Sequence, residues 1–322
     1  MSLTYAELES ITNDYFLSGE AQDIYFNDSF LLNYFLKQKK GLYRVIDGGK
    51  QIRVPLMYDG QEAGFYSRGD SLSSDDKEAV NTAIFTLKHA FANATIYRID
   101  GLENMGDYAK VELVTSRTAG AQKSLMHTLA SSLYDAPGGS SNRLTGLRSL
   151  CNETATTAYG GIAEDDLVAS NGTKPWEGKM VSTPTAVSLS LITTIRRLAK
   201  VNDGPQGKPN LITTTEAIFE DFLNILQAQQ RLTEGKETAK AGFTGLYYAG
   251  ADVFPDDFCP ASHVFGLNTS HVGMAVHKSG NFVRLPWSYI PDSADDKTMK
   301  ILVDLNLICN NRKAHQGYSS VS

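Results

Sequence analysis

The stretch DGGKQIRVPLMYDGQEAGFYSRGDSLSSDD, residues 47–76, sets the problem of the fold. Ile52, Val54, Leu56 and Tyr58 alternate with Gln51, Arg53, Pro55 and Met57, the period-two pattern of a half-buried strand. Asp59-Gly60 reads as a turn, and Phe65, Tyr66 and Arg68 read as the strand coming back. Gly48, Gly49, Gly64 and Gly69 punctuate the two ends. A lone two-stranded hairpin is marginal in water and needs a surface to cover. Nothing adjacent in the sequence supplies one.

Upstream lies an acidic, aromatic segment. Residues 1–28 hold Glu7, Glu9, Asp14, Glu20, Asp23 and Asp28 and no Lys or Arg, so they account for the whole net charge of −6. Aromatic residues crowd 4–36 (Tyr15, Phe16, Tyr25, Phe26, Phe30, Tyr34 and Phe35), as in an arm that docks onto something. The remainder is formally neutral, with one basic run at Lys37, Lys39, Lys40 and Arg44. A protein that reads DNA sequence carries a stronger basic footprint. No apolar run approaches the ~20 residues that span a bilayer, and the first residues lack the pattern of a secretory signal. Cys151, Cys259 and Cys309 are odd in number and widely spaced, which gives neither a disulfide framework nor a paired metal motif.

Downstream, residues 81–99 alternate as one long strand would, through Phe85, Leu87, His89 and Phe91. Residues 107–136 place Val111, Val114, Thr118, Ala121, Leu125, Leu129 and Leu133 at spacings of three and four, one face of a helix. That helix would run ~42 Å at 1.5 Å per residue, a spine rather than a core filler. Residues 137–178 turn rich in Gly, Ser, Thr and Asn. A helix is expected at 184–199 behind Thr183 and Pro184, a short strand at 208–212, and a helix at 216–230 opened by a capping box of Thr213 and Glu216. From 243 onward the pattern is mostly β. The class is α+β, without βαβ repetition.

No constellation for catalysis stands out. GTKPWEGKM (172–180) and GPQGKP (204–209) both lack the hydroxyl after the lysine that a phosphate loop requires. Cys259, His263, His271 and His277 fall among apolar strand positions, where packing explains them better than zinc. The acidic clusters at 164–166, 256–257 and 295–296 read as solvated turns. We expect no enzyme activity and no cofactor or metal.

Taken in order, these elements resemble one family. GLRSLCNETATTAYGGI (146–162), KPWEGK (174–179), PNLITTTEAIFEDF (209–222) and LNLICNNRKAH (305–315) carry a resemblance to tailed-bacteriophage major capsid proteins of the Hong Kong 97 type, over about residues 4–318. The resemblance implies an N-arm at 1–43 and an extended E-loop at 44–78. It implies a peripheral domain from 79–136 with 271–322, and an axial domain at 137–270. It also implies a structural subunit that assembles as pentamers and hexamers into an icosahedral shell around double-stranded DNA. Assembly would take place in a bacterial cytoplasm and the product would be the virion. Partners would be further copies of the chain, a portal, a separate scaffold protein or none, since no fused scaffold is expected before the arm, and in some cases a decoration protein.

The hairpin then has something to cover: the E-loop would lie on the peripheral domain of a neighbouring subunit, with Lys50, Arg53, Tyr58, Phe65, Arg68 and Asp70 at the interface. Some relatives join an E-loop lysine to an asparagine near the last strand. Lys50 stands where that lysine would be, but the asparagine position falls on Val303, and Asn306 is three residues away. Two other readings stay open: an encapsulin-type compartment that encloses protein, and an α+β enzyme whose site the sequence does not reveal.

Overall fold

The computed structural model describes residues 29–71, 77–103, 113–136, 142–151, 158–201, 207–228, 246–291 and 296–322. The expected arm before Ser29 and the beginning of the spine helix before Leu113 lie outside the described residues. The chain divides into two compact units. Among the described residues, the larger comprises those of 29–90, 127–283 and 303–322, and the smaller those of 91–126 and 284–302.

The larger unit is built on a six-stranded sheet, β5 (Met180–Val181), β14 (Gln316–Tyr318), β9 (Val264–Leu267), β6 (Leu211–Thr214), β8 (Ala251–Pro255) and β7 (Leu246–Tyr248), in that spatial order. β6 and β8 run parallel, and β9 runs antiparallel to both β6 and β14. β6 and β9 are buried at every position, which is why neither shows the alternation of a half-buried strand. Helices α5 (Leu189–Leu198) and α6 (Glu216–Ala228) cover the sheet through Ile192, Ile195, Phe219, Phe222 and Leu226, which meet Ile212, Val253 and Val264.

α5 starts later than the sequence suggests, whereas α6 starts at the expected Glu216 behind a different cap. Ser188, in extended backbone, precedes α5; Thr185 instead bridges to Val321 beside the sheet. Thr213 is a fully buried residue of β6, so it does not cap α6. The first helical bond runs from the Phe219 amide to the Thr215 carbonyl, which makes Thr215 the capping residue.

At one corner of this unit, α1 (Phe30–Leu36) is fixed by Asp256, just past β8. The carboxylate accepts from the Ser29 hydroxyl (2.9 Å) and the Leu31 amide (3.0 Å), and the Phe30 ring stacks on Phe254 at 4.0 Å. β1 (Arg44–Ile46) then pairs in parallel with β10 (Val272–His277), and β10 pairs antiparallel with residues 305–309 of β13 (Lys297–Cys309).

The smaller unit contains α2 (Arg98–Glu103), most of α3 (Leu113–Leu133), residues 91–96 of β4 (Lys88–Ile96), and β12 (Ser288–Tyr289) paired with Thr298 and Lys297 of β13. Its Arg98 amide is held by the Asp296 carboxylate at 2.9 Å. Along α3, which contributes residues to both units, Ala121, Leu125, Leu129 and Leu133 form the buried stripe that the spacing predicts, whereas Val114 is exposed. The described helix is 21 residues long, about 32 Å.

The long strand expected at 81–99 is two strands. β3 (Val80–Phe85) ends before Thr86, and β4 begins at Lys88. The Asn306 side chain donates to the Thr86 carbonyl at 2.7 Å, in the break. The interruption shifts the phase of the alternation, so Phe85 is buried while His89 and Phe91 are exposed. The three cysteines are buried and unpaired.

Candidate assembly surface

β2 (Ile52–Met57) pairs antiparallel with β3 over six residues, from Ile52 opposite Phe85 to Met57 opposite Val80. The return strand is therefore not at 65–68, as the sequence suggests. Phe65, Tyr66 and Arg68 lie in the irregular tip between the strands. The tip is tied at its base: the Tyr58 amide continues the ladder to the Ala79 carbonyl at 2.9 Å, and the Gln61 side chain exchanges two hydrogen bonds with the Lys77 backbone.

The hairpin has two faces of opposite fate. Ile52, Val54, Leu56, Ala83 and Phe85 share one face by register and pleat, and it is turned onto the same chain. Leu56, Ala83 and Phe85 are buried. The Phe85 ring meets Tyr159 edge-on at 5.5 Å, and the Ile84 amide donates to the Gly160 carbonyl at 2.7 Å. Gly160 has a φ of +63°, and a Cβ there would sit 3.1 Å from both Ala83 and Phe85, so only glycine allows this approach without strain. The tip base is held as well, by the Ser170 amide (2.9 Å) and hydroxyl, which both donate to Asp59. These bonds hold the exposed Asp59 carboxyl below its usual range. The alternating face expected to await another subunit is thus already covered.

The opposite face is the open one. Met57 is 81% exposed, Val80 57% and Ile84 36%, and in the tip Phe65 is fully exposed and Tyr66 71%. Apolar groups placed singly on a surface are ordinary; this hairpin and its tip leave five large ones exposed. Of the interface residues proposed from the sequence, Lys50, Arg53, Phe65, Arg68 and Asp70 are exposed and Tyr58 is half-buried. Asp70 accepts from the Ser67 amide at 2.6 Å and so shapes the tip. The sequence does not single out Met57, Val80 and Ile84 as the exposed face, because the covered face cannot be told from the free one until the strand partner is known. The smaller unit carries a second set of exposed apolar side chains, at Phe91, Tyr97, Ile99, Leu102, Leu285 and Tyr289.

Of the stretches that resemble phosphate loops or metal sites, KPWEGK and the Cys259–His263 region contribute to the interior, while residues 204–206 of GPQGKP lie outside the described residues. Trp176 of KPWEGK is buried, and its indole N–H donates to the Tyr159 carbonyl at 2.9 Å. Arg312 is buried among carbonyls: it donates to Leu150 and Ser149 (2.7 Å each) and to Trp176 (3.3 Å). The Cys259 thiol faces the His263 carbonyl, and burial pushes it well above its usual range. Among the described residues no group of three or more His, Cys, Asp or Glu is placed to hold a metal ion, and no described helix is long and apolar enough to cross a membrane.

No protein-family model and no curated protein matches the sequence. Solved structures do match the fold. The chain has the Hong Kong 97-type α+β fold of phage capsid subunits. It is similar to the capsid subunit of cyanophage A-1(L), with a TM-score of 0.67 and 16% identity over 97% of this chain and 99% of that one. It is also similar to the capsid of a native GTA particle, with a TM-score of 0.61 and 11% identity over 98% and 99%. An encapsulin from Synechococcus elongatus PCC 7942 shares the fold, with a TM-score of 0.59 and 9% identity over 100% and 97%.

Proposed function

We propose that this protein is the major capsid protein of a tailed bacteriophage: a structural subunit, not an enzyme, that assembles as pentamers and hexamers into an icosahedral shell around double-stranded DNA. The observation that carries this reading is the free face of the β2–β3 hairpin, with Met57, Val80 and Ile84 open to solvent on an element whose other face is already buried. Burying that face against a neighbour contributes ~25 cal/mol for each Å² of apolar surface removed from water. The receiving surface is the exposed apolar set of a neighbour's smaller unit, Phe91, Tyr97 and Ile99 among it. Arg53 and Arg68 contribute at the rim, where single ion pairs are weak, ~0–1 kcal/mol each, but are repeated throughout a shell. Lys50 and Asp70 lie beside them, and Tyr58 and Phe65 complete the contact.

In this reading residues 1–43 act as an arm and 44–78 as the projecting loop; 79–136 with 271–322 form the peripheral domain and 137–270 the axial domain. Portal, scaffold and decoration proteins are the expected partners, and assembly proceeds in the bacterial cytoplasm to yield the virion. A near-neutral body suits packaged DNA that must slide and leave, since strong phosphate neutralisation would hold it.

The test is electron microscopy of the purified protein together with nuclease-protected nucleic acid from the particles. Closed shells that protect double-stranded DNA are expected. Shells that hold protein cargo would instead favour the encapsulin reading, for which the shared fold speaks. A monomer at high concentration would overturn both.

A further inference from the structure

One dipeptide in the loop that seats the hairpin carries chemistry of its own. Asn171-Gly172 is the sole asparagine–glycine pair in the sequence, and Ser170, Asn171, Gly172 and Thr173 are all exposed. The Asn171 side-chain oxygen accepts two bonds from Thr173, from its amide at 3.0 Å and from its hydroxyl at 2.7 Å. A backbone N–H can only donate, so the Asn171 atom that faces Thr173 is the oxygen and not the nitrogen. Gly172 has a φ of +75°, and a Cβ there would meet open space. Neither a side chain of its own nor a neighbouring atom stands on that side of residue 172.

We propose that Asn171 is a site of spontaneous covalent modification, in which it cyclises onto the Gly172 nitrogen and reopens with water to aspartate or isoaspartate, undoing the Ser170 clasp on Asp59. In the first step the Gly172 nitrogen gives its proton to solvent and attacks the Asn171 Cγ. The new N–C bond closes a five-membered imide, the Cγ–Nδ2 bond breaks, and the nitrogen leaves as ammonia with a proton taken from solvent. Water then adds to one of the two imide carbonyls and opens the ring. The net change is amide plus water to acid plus ammonia, with nothing oxidised or reduced. Negative charge develops on the Asn171 Oδ1 during the attack, and the two Thr173 donors already point at that atom. They stabilise the transition state more than the resting amide. The Gly172 amide donates to the Ala169 carbonyl at 2.8 Å; that bond has to open first, which makes the reaction slow.

The consequence follows from position. Residues 169–173 close on themselves through the Gly172 bond to Ala169 and through the Ala169 amide, which donates to the Thr173 carbonyl at 2.9 Å. Isoaspartate routes the main chain through Cγ and so adds one carbon between residues 171 and 172, inside that ring, and the two bonds cannot both keep their geometry. Ser170, in the same turn, holds Asp59 through its amide at 2.9 Å and its hydroxyl. Distorting the turn releases the base of the hairpin tip. Across this contact Asp59-Gly60 is a related dipeptide, but its carboxyl accepts from the Gly60 amide and twice from Ser170. Those bonds favour the ionised form, and a carboxylate is a poor electrophile. The reactive member of the pair is Asn171. The chemistry belongs to the subunit alone; only the effect of a loosened hairpin on assembly rests on the shell reading.

The test incubates the purified, unassembled subunit at mildly alkaline pH and follows it by peptide mapping with mass spectrometry. Amide-to-acid conversion is expected at residue 171 ahead of every other asparagine, with ammonia released in step and isoaspartate identified by electron-transfer fragmentation. Thr173→Val should slow the conversion about fivefold, the rate equivalent of one lost hydroxyl hydrogen bond, and Thr173→Ser should restore it. Hydrogen exchange at Gly60 and at Ser170–Thr173 should quicken as the wild type converts. It should stay constant in identically incubated Asn171→Gln, whose longer side chain closes a ring far more slowly. No conversion at residue 171, or a rate in Thr173→Val equal to or above that of the wild type, overturns the proposal. Conversion that leaves exchange at the hairpin base unchanged overturns the link to Asp59. Because every readout is made on the subunit, failure here leaves the shell reading standing, and absence of shells leaves this proposal standing.

Discussion

The guanidinium of Arg312 lies over the ring of Tyr159 with 5.0 Å between its central carbon and the ring centroid. Together they knit the chain's late turn to the loop that receives the hairpin. Arg312 is 1% exposed, and among the described residues no carboxylate is paired with it. Three backbone carbonyls and an aromatic face take the place of a counter-ion. Tyr159 in turn holds Phe85 edge-on and takes the Trp176 hydrogen bond on its carbonyl. Hairpin, KPWEGK loop and final strand therefore converge on one pair of side chains.

Replacing Arg312 by Met preserves much of the volume but leaves the carbonyls of Ser149, Leu150 and Trp176 without their donor. Each buried acceptor that loses its partner costs about 1–3 kcal/mol, so a loss of about 3 kcal/mol or more is expected in urea denaturation of the unassembled subunit. A change under about 1 kcal/mol would show that water replaces the guanidinium there.

The two faces of the hairpin should separate folding from assembly. Phe85→Ala removes a buried ring and should cost the subunit about 3–5 kcal/mol. Met57→Ser and Val80→Ser, on the open face, should leave subunit stability within about 0.5 kcal/mol while lowering shell yield in sedimentation. Equal effects of both groups on the melt would contradict the division of faces.

Charge reversal at Arg68, in the tip, is expected to lower assembly yield more at low salt than at high salt, because exposed ion pairs are screened over about 10 Å at 0.1 M. Light scattering against salt concentration measures this. A yield indifferent to both the substitution and the salt would remove Arg68 from the interface.

Asp256 gives a pH signature. Burial raises its carboxyl above the ordinary 3.8, against the opposing hydrogen bonds from Leu31, Phe258 and Ser29. The folded state then holds this proton more tightly than the unfolded state does. Its contribution is full below pH 3.8 and is lost as pH rises through the folded value. Relative to Asp256→Asn, the wild type should therefore lose stability as pH is raised from 3.8 through the folded value and level off above it, as read from parallel denaturant titrations. Parallel profiles would contradict the assignment.

Mature particles should show no covalent mesh. Val303 is fully buried and has no amide, and Asn306 is buried with both ends of its side chain engaged, by the Thr145 amide at 3.0 Å and the Thr86 carbonyl at 2.7 Å. Boiled particles on a denaturing gel should run at 35.2 kDa. A ladder of higher bands would overturn this.

The order of elements was legible because helices and buried strands leave local patterns: the Ala121–Leu133 stripe and the β tail needed no partner to be read. The hairpin's pairing was not local. Asp59-Gly60 followed by Phe65 and Tyr66 looks like a tight return, whereas the true partner begins at Val80, and only the ladder from Ile52 opposite Phe85 distinguishes the two. Strand alternation identified two faces but could not say which one was covered. That depended on Gly160 and Tyr159, about a hundred residues away along the chain. The capping box at Thr213 failed for a related reason: β6 needed that residue as its third buried position.

The buried thiols bear on how such a particle would age. Cys151, Cys259 and Cys309 are all enclosed, and burial pushes the Cys309 thiol up to about 12. Oxidation and exchange proceed through the thiolate, a species Cys259 and Cys309 scarcely form, and Cys151 is fully enclosed. Passage from the reducing interior of a cell into aerated medium would therefore neither rivet the subunits together nor scramble them, and durability outside the host would rest wholly on non-covalent contacts.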